Sequence, residues 1–549
     1  MRRIALLAIL FSSWATLLGS DALAAPPAAG AADSRAVFIA EKPVLYGALQ
    51  AMVQAARRNV LIRLFAFADN DGLLFCSRED QHPMAAGFAD VLIRAKRDNP
   101  RLDLVLVIDP INFVDYHQNF ELPWQRWAER LRGMGGFFNP LAKRLEQMVV
   151  VNRAYPERYA RLAGKKTVRE RLRDAGITVL STNLFPNPEK NAFFRTKPGR
   201  EEPADDDDLR LKAIRRLPDE YPSIGDRIAL ERKLALYQGI SLVGDHRKFA
   251  VIDDGTLAWN ASMNVWDNDY YSPDDGVVCS GALARDLLAQ FEDARRSSLS
   301  LYGPLHRAGK LPELDRQFSS PGYAFSPDPR PPVLTVAGRT LELSPAAGTV
   351  LRDGAIAGRL IEAFDHLEAG GQADVYQTLI TDPALIQSIA KAARRGVRVR
   401  VLTDAYENVY GQDCSFIHGR AFRQFREAIL EGAALQVKAV VPDPRVSEIH
   451  RKFALVRGER DDGRSEDFLL TGSANFTVHS SDGTQLEQDI LFTHGAVIEQ
   501  ARTWFDAAWT NRIEGEQNMV PRLIRQAWRP KDFIGTGATW FLSLFGLGG

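Results

Sequence analysis

The sequence predicts an α/β protein built from two similar halves, each a mixed sheet flanked by helices, related by a pseudo-twofold axis. Three observations predict it. The pentapeptide His-Arg-Lys-Phe-Ala occurs once at His246 and again at His450, and short apolar strands alternate with amphipathic helices on both sides of a proline-rich stretch. A length of 549 residues accommodates two such units.

The chain opens Met-Arg-Arg, runs through Ile-Ala-Leu-Leu-Ala-Ile-Leu-Phe and reaches Ala22-Leu23-Ala24. This is the pattern of a secretory signal peptide over residues 1–24, so export to a bacterial periplasm or the medium is expected. The first half is expected over 36–305. It holds the strand Asn-Val-Leu-Ile-Arg-Leu-Phe-Ala-Phe, a helix with Phe88, Val91, Leu92 and Ala95 on one face, a strand ending at Asp109 and another over Ile177 to Leu180. About sixty residues then separate Leu180 from His246, an insertion expected to frame a pocket; its run Asp205 to Asp208 reads as a solvated loop. Residues 306–333 form a connector in which Ser-Ser-Pro-Gly-Tyr-Ala-Phe-Ser-Pro-Asp-Pro-Arg-Pro-Pro leaves no room for regular helix. In the second half, expected over 334–515, Thr381 or Asp382 caps a helix begun by Pro383 and closed by Gly396, before the strand that ends at Asp404. Residues 516–549 form a tail, and its uncharged end from Phe533 is too short and glycine-rich for a membrane span.

Chemistry concentrates at the duplicated pentapeptide. The first copy continues HRKFAVIDDGTLAWNASMN and the second HRKFALVRGERDDGRSEDFLLTGSANF. In a strand, residues i and i+2 share a face, so His246 lies beside Lys248 and His450 beside Lys452. An imidazole can attack or donate a proton near neutral pH, and an adjacent ammonium favours a phosphate oxygen. Ser262 and Asn264 downstream of the first copy, and Ser473 and Asn475 downstream of the second, could add neutral donors to a phosphate cradle.

Both segments resemble the HKD motif of the phospholipase D superfamily, with His246, Lys248 and Asp253 in the spacing HxKxxxxD. The resemblance implies two half-sites facing each other and displacement at a phosphodiester through a phosphohistidine, with no metal or other cofactor. By analogy His246 is the nucleophile and His450 the acid/base, an assignment that the near-equivalence of the halves could reverse. The family orients its imidazoles with an acid beyond each Asn; here Asp275 and Glu487 are the candidates. Asp253 would be the structural motif acid, and the second copy departs from the pattern by carrying Arg457 at that position.

The formal net charge is zero, and removing residues 1–24 leaves it near neutral, so no global attraction for nucleic acid is expected. A local basic stretch at Lys165, Lys166, Arg169, Arg171 and Arg173 is read as the exposed face of a helix. The aromatic run Phe113, Tyr116, Phe120, Trp124, Trp127, Phe137 and Phe138 suits either a membrane interface or buried packing. The reading is therefore an exported, monomeric phospholipase D-like phosphodiesterase that meets phospholipid at a membrane surface and hydrolyses it or transfers its phosphatidyl group. A periplasmic endonuclease of the same superfamily and a lapsed lipid- or anion-binding protein are the alternatives. Of three cysteines, Cys279 falls in an apolar strand, while Cys76 and Cys414 could pair across the halves.

Overall fold

The computed structural model describes residues 34–65, 67–68, 84–108, 168–182, 244–266, 272–307, 309, 311–405, 418–441, 448–483, 485–510 and 520–523. Residues 1–24, expected as a signal peptide, the aromatic run, Asp205 to Asp208, Lys165, Lys166, Cys76, Cys414 and the chain from Phe533 lie outside these residues.

In the first half the strands of the large sheet are β1 (Arg35–Ile39), β2 (Asn59–Leu64), β3 (Asp103–Ile108), β4 (Thr178–Ser181), β5 (Phe249–Ile252), β6 (Leu257–Ala261) and β7 (Gly276–Ser280). Its helices are α1 (Lys42–Ala55), α2 (Met84–Asp98), α3 (Val168–Asp174) and α4 (Ala282–Arg307). The second half supplies β8 (Ser344–Arg352), β9 (Gln372–Gln377), β10 (Arg398–Asp404), β11 (Leu435–Val441), β12 (Lys452–Glu459), β13 (Ser465–Gly472) and β14 (Gln488–Gly495). Its helices are α5 (Gly354–His366), α6 (Pro383–Arg394), α7 (Gly419–Leu430) and α8 (Ala496–Trp509).

All these strands join one sheet in the order β11-β10-β9-β12-β13-β14-β8-β1-β7-β6-β5-β2-β3-β4. Adding seven to each first-half label reproduces the second-half order, reversed about the β8–β1 seam. In each half the first three crossover strands, β2, β3 and β4 or β9, β10 and β11, are parallel, and the remainder pair antiparallel. The central strand Asn59–Leu64 is buried at every position, as expected of a strand covered on both faces. The seam is short: Arg35 pairs with Pro345 and Ala36 with Ser344.

The core explains why the halves do not behave as separate beads. One cluster joins Phe38, Phe249 and Phe291 of the first half to Tyr376, Phe453 and Phe505 of the second, beneath α4 and α8. A second cluster lies under α1 and α2 of the first half, and a third under α5, α6 and α7 of the second. The α6 cap is Asp382, whose side chain accepts from the amides of Ala384 and Leu385, and Gly396 closes the turn at φ +98°. In α3, Arg171 pairs with Asp90 and Arg173 with Glu313.

Two boundaries differ from expectation. The connector contains a short helix, Asp315–Ser319, and Leu334 and Val336, expected to open the second half, pack into the first-half core. Val520–Leu523, expected in the tail, instead adds an antiparallel strand, β15, to the edge of β11. Its proline is tolerated there because an edge strand needs only one row of hydrogen bonds. Among the described residues no helix is long and apolar enough to cross a membrane.

Candidate active site

The pentapeptides enter β5 and β12 and meet across the seam. Each histidine is registered by the acid-bearing segment of the opposite half: the amide of His246 donates to Leu486 O at 2.9 Å, and that of His450 donates to Pro273 O at 2.9 Å. A parallel pairing of Gly244–Asp245 with Gln485–Leu486 reinforces the first contact. The imidazoles stand 6.4 Å apart, centroid to centroid, close enough for both to address one phosphorus.

Each Nδ1 faces a buried carboxylate, which leaves Nε2 for chemistry. His246 Nδ1 lies 3.0 Å from both Glu487 oxygens, and His450 Nδ1 lies 2.8 Å from Asp274 Oδ1. The first-half orienting acid is thus Asp274 rather than Asp275. The backbone shows why: Ser262 N donates to Asp275 O just as Ser473 N donates to Gln488 O, so Asp275 corresponds to Gln488 and Asp274 to Glu487. The loop from Asn475 to Glu487 is longer than that from Asn264 to Asp274, which displaces any fixed count. Asp275 instead accepts from the Lys452 amide at 2.8 Å and the Thr471 hydroxyl at 2.6 Å, and burial raises its pKa. It serves as a strut across the seam.

The serines also depart from their expected role. Ser262 Oγ donates to Asp274 Oδ1 at 2.7 Å, and Ser473 Oγ donates to Glu487 Oε2 at 2.6 Å. Both are fully buried, so they hold the orienting acids rather than cradle phosphate. Asn475 is half-buried, and its Oδ1 has no hydrogen-bond partner among the described residues; Asn264 is buried just beyond Ser262.

Lys248 and Lys452 are buried beside their histidines, with Nζ donating to His246 O at 2.5 Å and to His450 O at 3.0 Å. Burial lowers the Lys452 pKa. Burial, with Lys248 and Lys452 adding to it against the pull of Glu487, lowers His246 to about 4. Burial and Lys452 hold His450 well below its usual value despite Asp274. An anion between the rings would relieve all three groups, which is the electrostatics of a site awaiting phosphate.

Supporting residues that sequence reasoning missed complete the site. Lys42 donates to Asp274 Oδ2 at 2.5 Å, and with His450 it holds that carboxyl below its usual range against the opposing effect of burial. Glu487 has hydroxyl partners instead, Ser473 and Ser480, while Asp353 accepts from its amide. The Phe65 ring meets His246 edge-on at 4.6 Å and underlies the Lys248 ammonium at 5.1 Å. The equivalent second-half position is Thr378, whose hydroxyl lies 3.3 Å from Lys452 Nζ. The arginines of the pentapeptides face away: Arg451 stacks on Trp504 at 3.6 Å, and Arg247 pairs with Asp245.

Asp253 sits at the opposite end of β5 and takes no part in this pocket. Its carboxylate accepts from the amides of Arg57, Arg58 and Asn59, fixing the entry to β2. At the corresponding second-half turn, Gly370 N donates to Gly396 O and Gly371 N to Glu368 O. Arg457 therefore has no amides to cap; it is exposed and sits opposite Asp467 in an extended β12–β13 hairpin.

Comparison with known proteins agrees with this geometry. Residues 365–509 match the family model described as cardiolipin synthase, PLD-like domain. The phosphatidylserine synthase of Haemophilus influenzae Rd KW20 superposes with a TM-score of 0.50 at 11% identity, covering 93% of this chain and 95% of that one. Nuc of Salmonella typhimurium, a phospholipase D family member, aligns with 33% of this chain and 99% of its own length at 17% identity and a TM-score of 0.24. No curated protein sequence matches. The fold and the paired half-sites define a phospholipase D-like α/β protein. The family match itself covers residues 365–509, which lie in the second half and include His450, Lys452, Ser473, Asn475 and Glu487.

Proposed function

We propose that this protein is an exported phospholipase D-type enzyme that cleaves phospholipid, passing the phosphatidyl group through a histidine to water or to another alcohol. The observation that carries the reading is the seam itself: two imidazoles 6.4 Å apart, each with Nδ1 on a carboxylate of the opposite half and each beside a buried lysine. One Nε2 lone pair forms the N–P bond while the P–O bond to the leaving alcohol breaks, and the other Nε2–H supplies that oxygen's proton. The deprotonated imidazole then takes a proton from water or alcohol as its oxygen displaces the first histidine.

A near-neutral chain favours lipid over nucleic acid, because polyanion binding draws on a basic surface. The signal-like pattern of residues 1–24 in the sequence supports action in the periplasm or medium, and a chain carrying both half-sites can act as a monomer at a membrane surface. Phosphatidic acid release from mixed phosphatidylethanolamine and phosphatidylglycerol vesicles, with EDTA and ethanol present, tests this. Wild type should yield phosphatidic acid and phosphatidylethanol, and His246→Ala and His450→Ala neither. Cleavage of nucleic acid alone would transfer the site to the endonuclease reading, and binding without a phosphoenzyme would mark a lapsed site.

A further inference from the structure

We propose that Arg451, between the histidine and the lysine of the second pentapeptide, is a positioning residue: its guanidinium ties the segment bearing Lys42 to the segment bearing Asp274 and so sets the charge behind His450. This deepens the phospholipase D reading and rests on it.

Alternation along the extended chain entering β12 sends Arg451 to the face opposite His450 and Lys452, beneath the seam rather than towards the pocket. The side chain is buried, and its Nη1 donates to two first-half carbonyls at once, Ala40 O and Asp274 O, each at 2.7 Å. Ala40 follows β1 directly and stands two residues before Lys42, the first residue of α1, whose Nζ donates to Asp274 Oδ2 at 2.5 Å. One nitrogen therefore fixes the separation of the two backbones whose side chains make that ion pair. Because Arg451 adjoins His450 in the chain, the acid, the lysine and the imidazole share a single anchor.

The guanidinium is itself held in place. Its carbon lies 3.6 Å from the centroid of Trp504 on α8 and 5.7 Å from that of Tyr376 on β9, and these two rings stack on each other. A planar cation on an aromatic face keeps its orientation, which keeps both Nη1 hydrogens aimed at their carbonyls.

The first pentapeptide uses the same arginine differently. Arg247 Nε donates to Asp245 Oδ1 in its own half, and Arg63 Nε donates to the other oxygen of that carboxylate. In the second half Ile449 replaces Asp245, and Tyr376 stands where the first half has Arg63, since Arg63 pairs with Phe249 and Tyr376 with Phe453. With no carboxylate at that position, Arg451 reaches the opposite half instead.

The charged groups facing His450 are Asp274 and Lys42 behind the ring, Lys452 beside it, Lys248 across the pocket, and Glu448 at 3.9 Å from Nε2. Arg451→Lys removes none of them and keeps its own charge, so a change in His450 reports position. With Lys42 displaced, Asp274 holds the His450 proton more firmly and the imidazole titrates at a higher pH.

The test is a double-mutant cycle on full-length protein with Arg451→Lys, Lys42→Met and the pair, read by imidazole NMR titration and by kcat on mixed phosphatidylethanolamine and phosphatidylglycerol vesicles. Each single variant should raise the His450 titration and lower kcat by about tenfold, and the pair should lose about tenfold as well, because both act through one contact. Arg247→Lys should leave the His450 titration in place. Losses that multiply to about a hundredfold, a slowed enzyme with the His450 titration unmoved, or an equal shift in Arg247→Lys would each overturn the proposal. Should Arg451→Lys not fold, Trp504→Phe weakens the shelf beneath the guanidinium and should move the same titration by a smaller step; an unmoved titration there overturns the proposal too. If wild type releases no lipid product, the phospholipase reading falls, while the titration still decides whether Arg451 sets the charge behind His450.

Discussion

The two halves share a strand order, a pentapeptide and a buried serine behind each imidazole, yet they differ at three places around their histidines and at a fourth at the far end of the same strands. Asp274 carries Lys42, whereas Glu487 carries hydroxyls; Phe65 stands opposite Thr378; Gly244 is matched by Glu448; and Asp253 is matched by Arg457. The imidazoles and ammoniums that would meet phosphorus are the same in both. Divergence lies behind and beside them, which is where a symmetric pocket acquires direction without losing its reactive groups.

The sharpest way to break the comparison is to remove one orienting charge at a time. Glu487→Gln should lower kcat by about 10³-fold, since the imidazole loses both its tautomer lock and its counter-charge, with Asp274→Asn falling less, by about 10²-fold. Steady-state rates on one lipid would measure this, and equal losses would mean the halves are electrically interchangeable. Next comes Lys42→Met, expected to cost about tenfold in rate. Without the ammonium, Asp274 attracts the His450 proton more strongly, so the His450 pKa should rise; an imidazole NMR titration against the unchanged His246 reads the shift directly.

Stability should separate the halves less. His246 titrates at about 4 when folded and near 6.5 when unfolded, so the unfolded chain binds more protons between these values. This contribution is fully present above about pH 6.5 and is lost as the pH falls towards 4. Urea midpoints of the ligand-free protein should decline over that window, and a phosphate analogue that protonates the pair should flatten the slope. The smallest contrast concerns the motif acid. Asp253→Asn should cost about 1–3 kcal/mol of stability with kcat unchanged, because three amides lose their charged acceptor. Arg457→Ala should stay within about 0.5 kcal/mol, as an exposed strand position does.

Much of this is legible in the sequence. The α6 cap at Asp382, the closing Gly396 and the face of α2 follow from local rules that depend on neighbours in the chain. His246, Lys248, His450 and Lys452 announce themselves by repetition. Asp274 did not, because the loops between each Asn and its acid differ in length and no count from one half transfers to the other. Matching Asp275-Gly276 to Gln488-Asp489 at the start of the final strands would have found it. Lys42 and Phe65 lie some two hundred residues from their partners and carry no local signature. The serine roles reverse for a related reason: a hydroxyl two residues before an asparagine reads as a ligand donor, until the sheet shows the acid it already serves.

The β1–β8 seam has a consequence for ancestry. The first strand of each half lies antiparallel to its counterpart, which is the contact that two copies of one strand make about a dyad. Two identical half-length chains could close the same sheet and present the same pair of histidines. In such a dimer every substitution appears twice, so a lysine placed behind one imidazole would stand behind both. Joining the copies through residues 308–343 lifts that constraint, and each side of the phosphorus can then be altered alone.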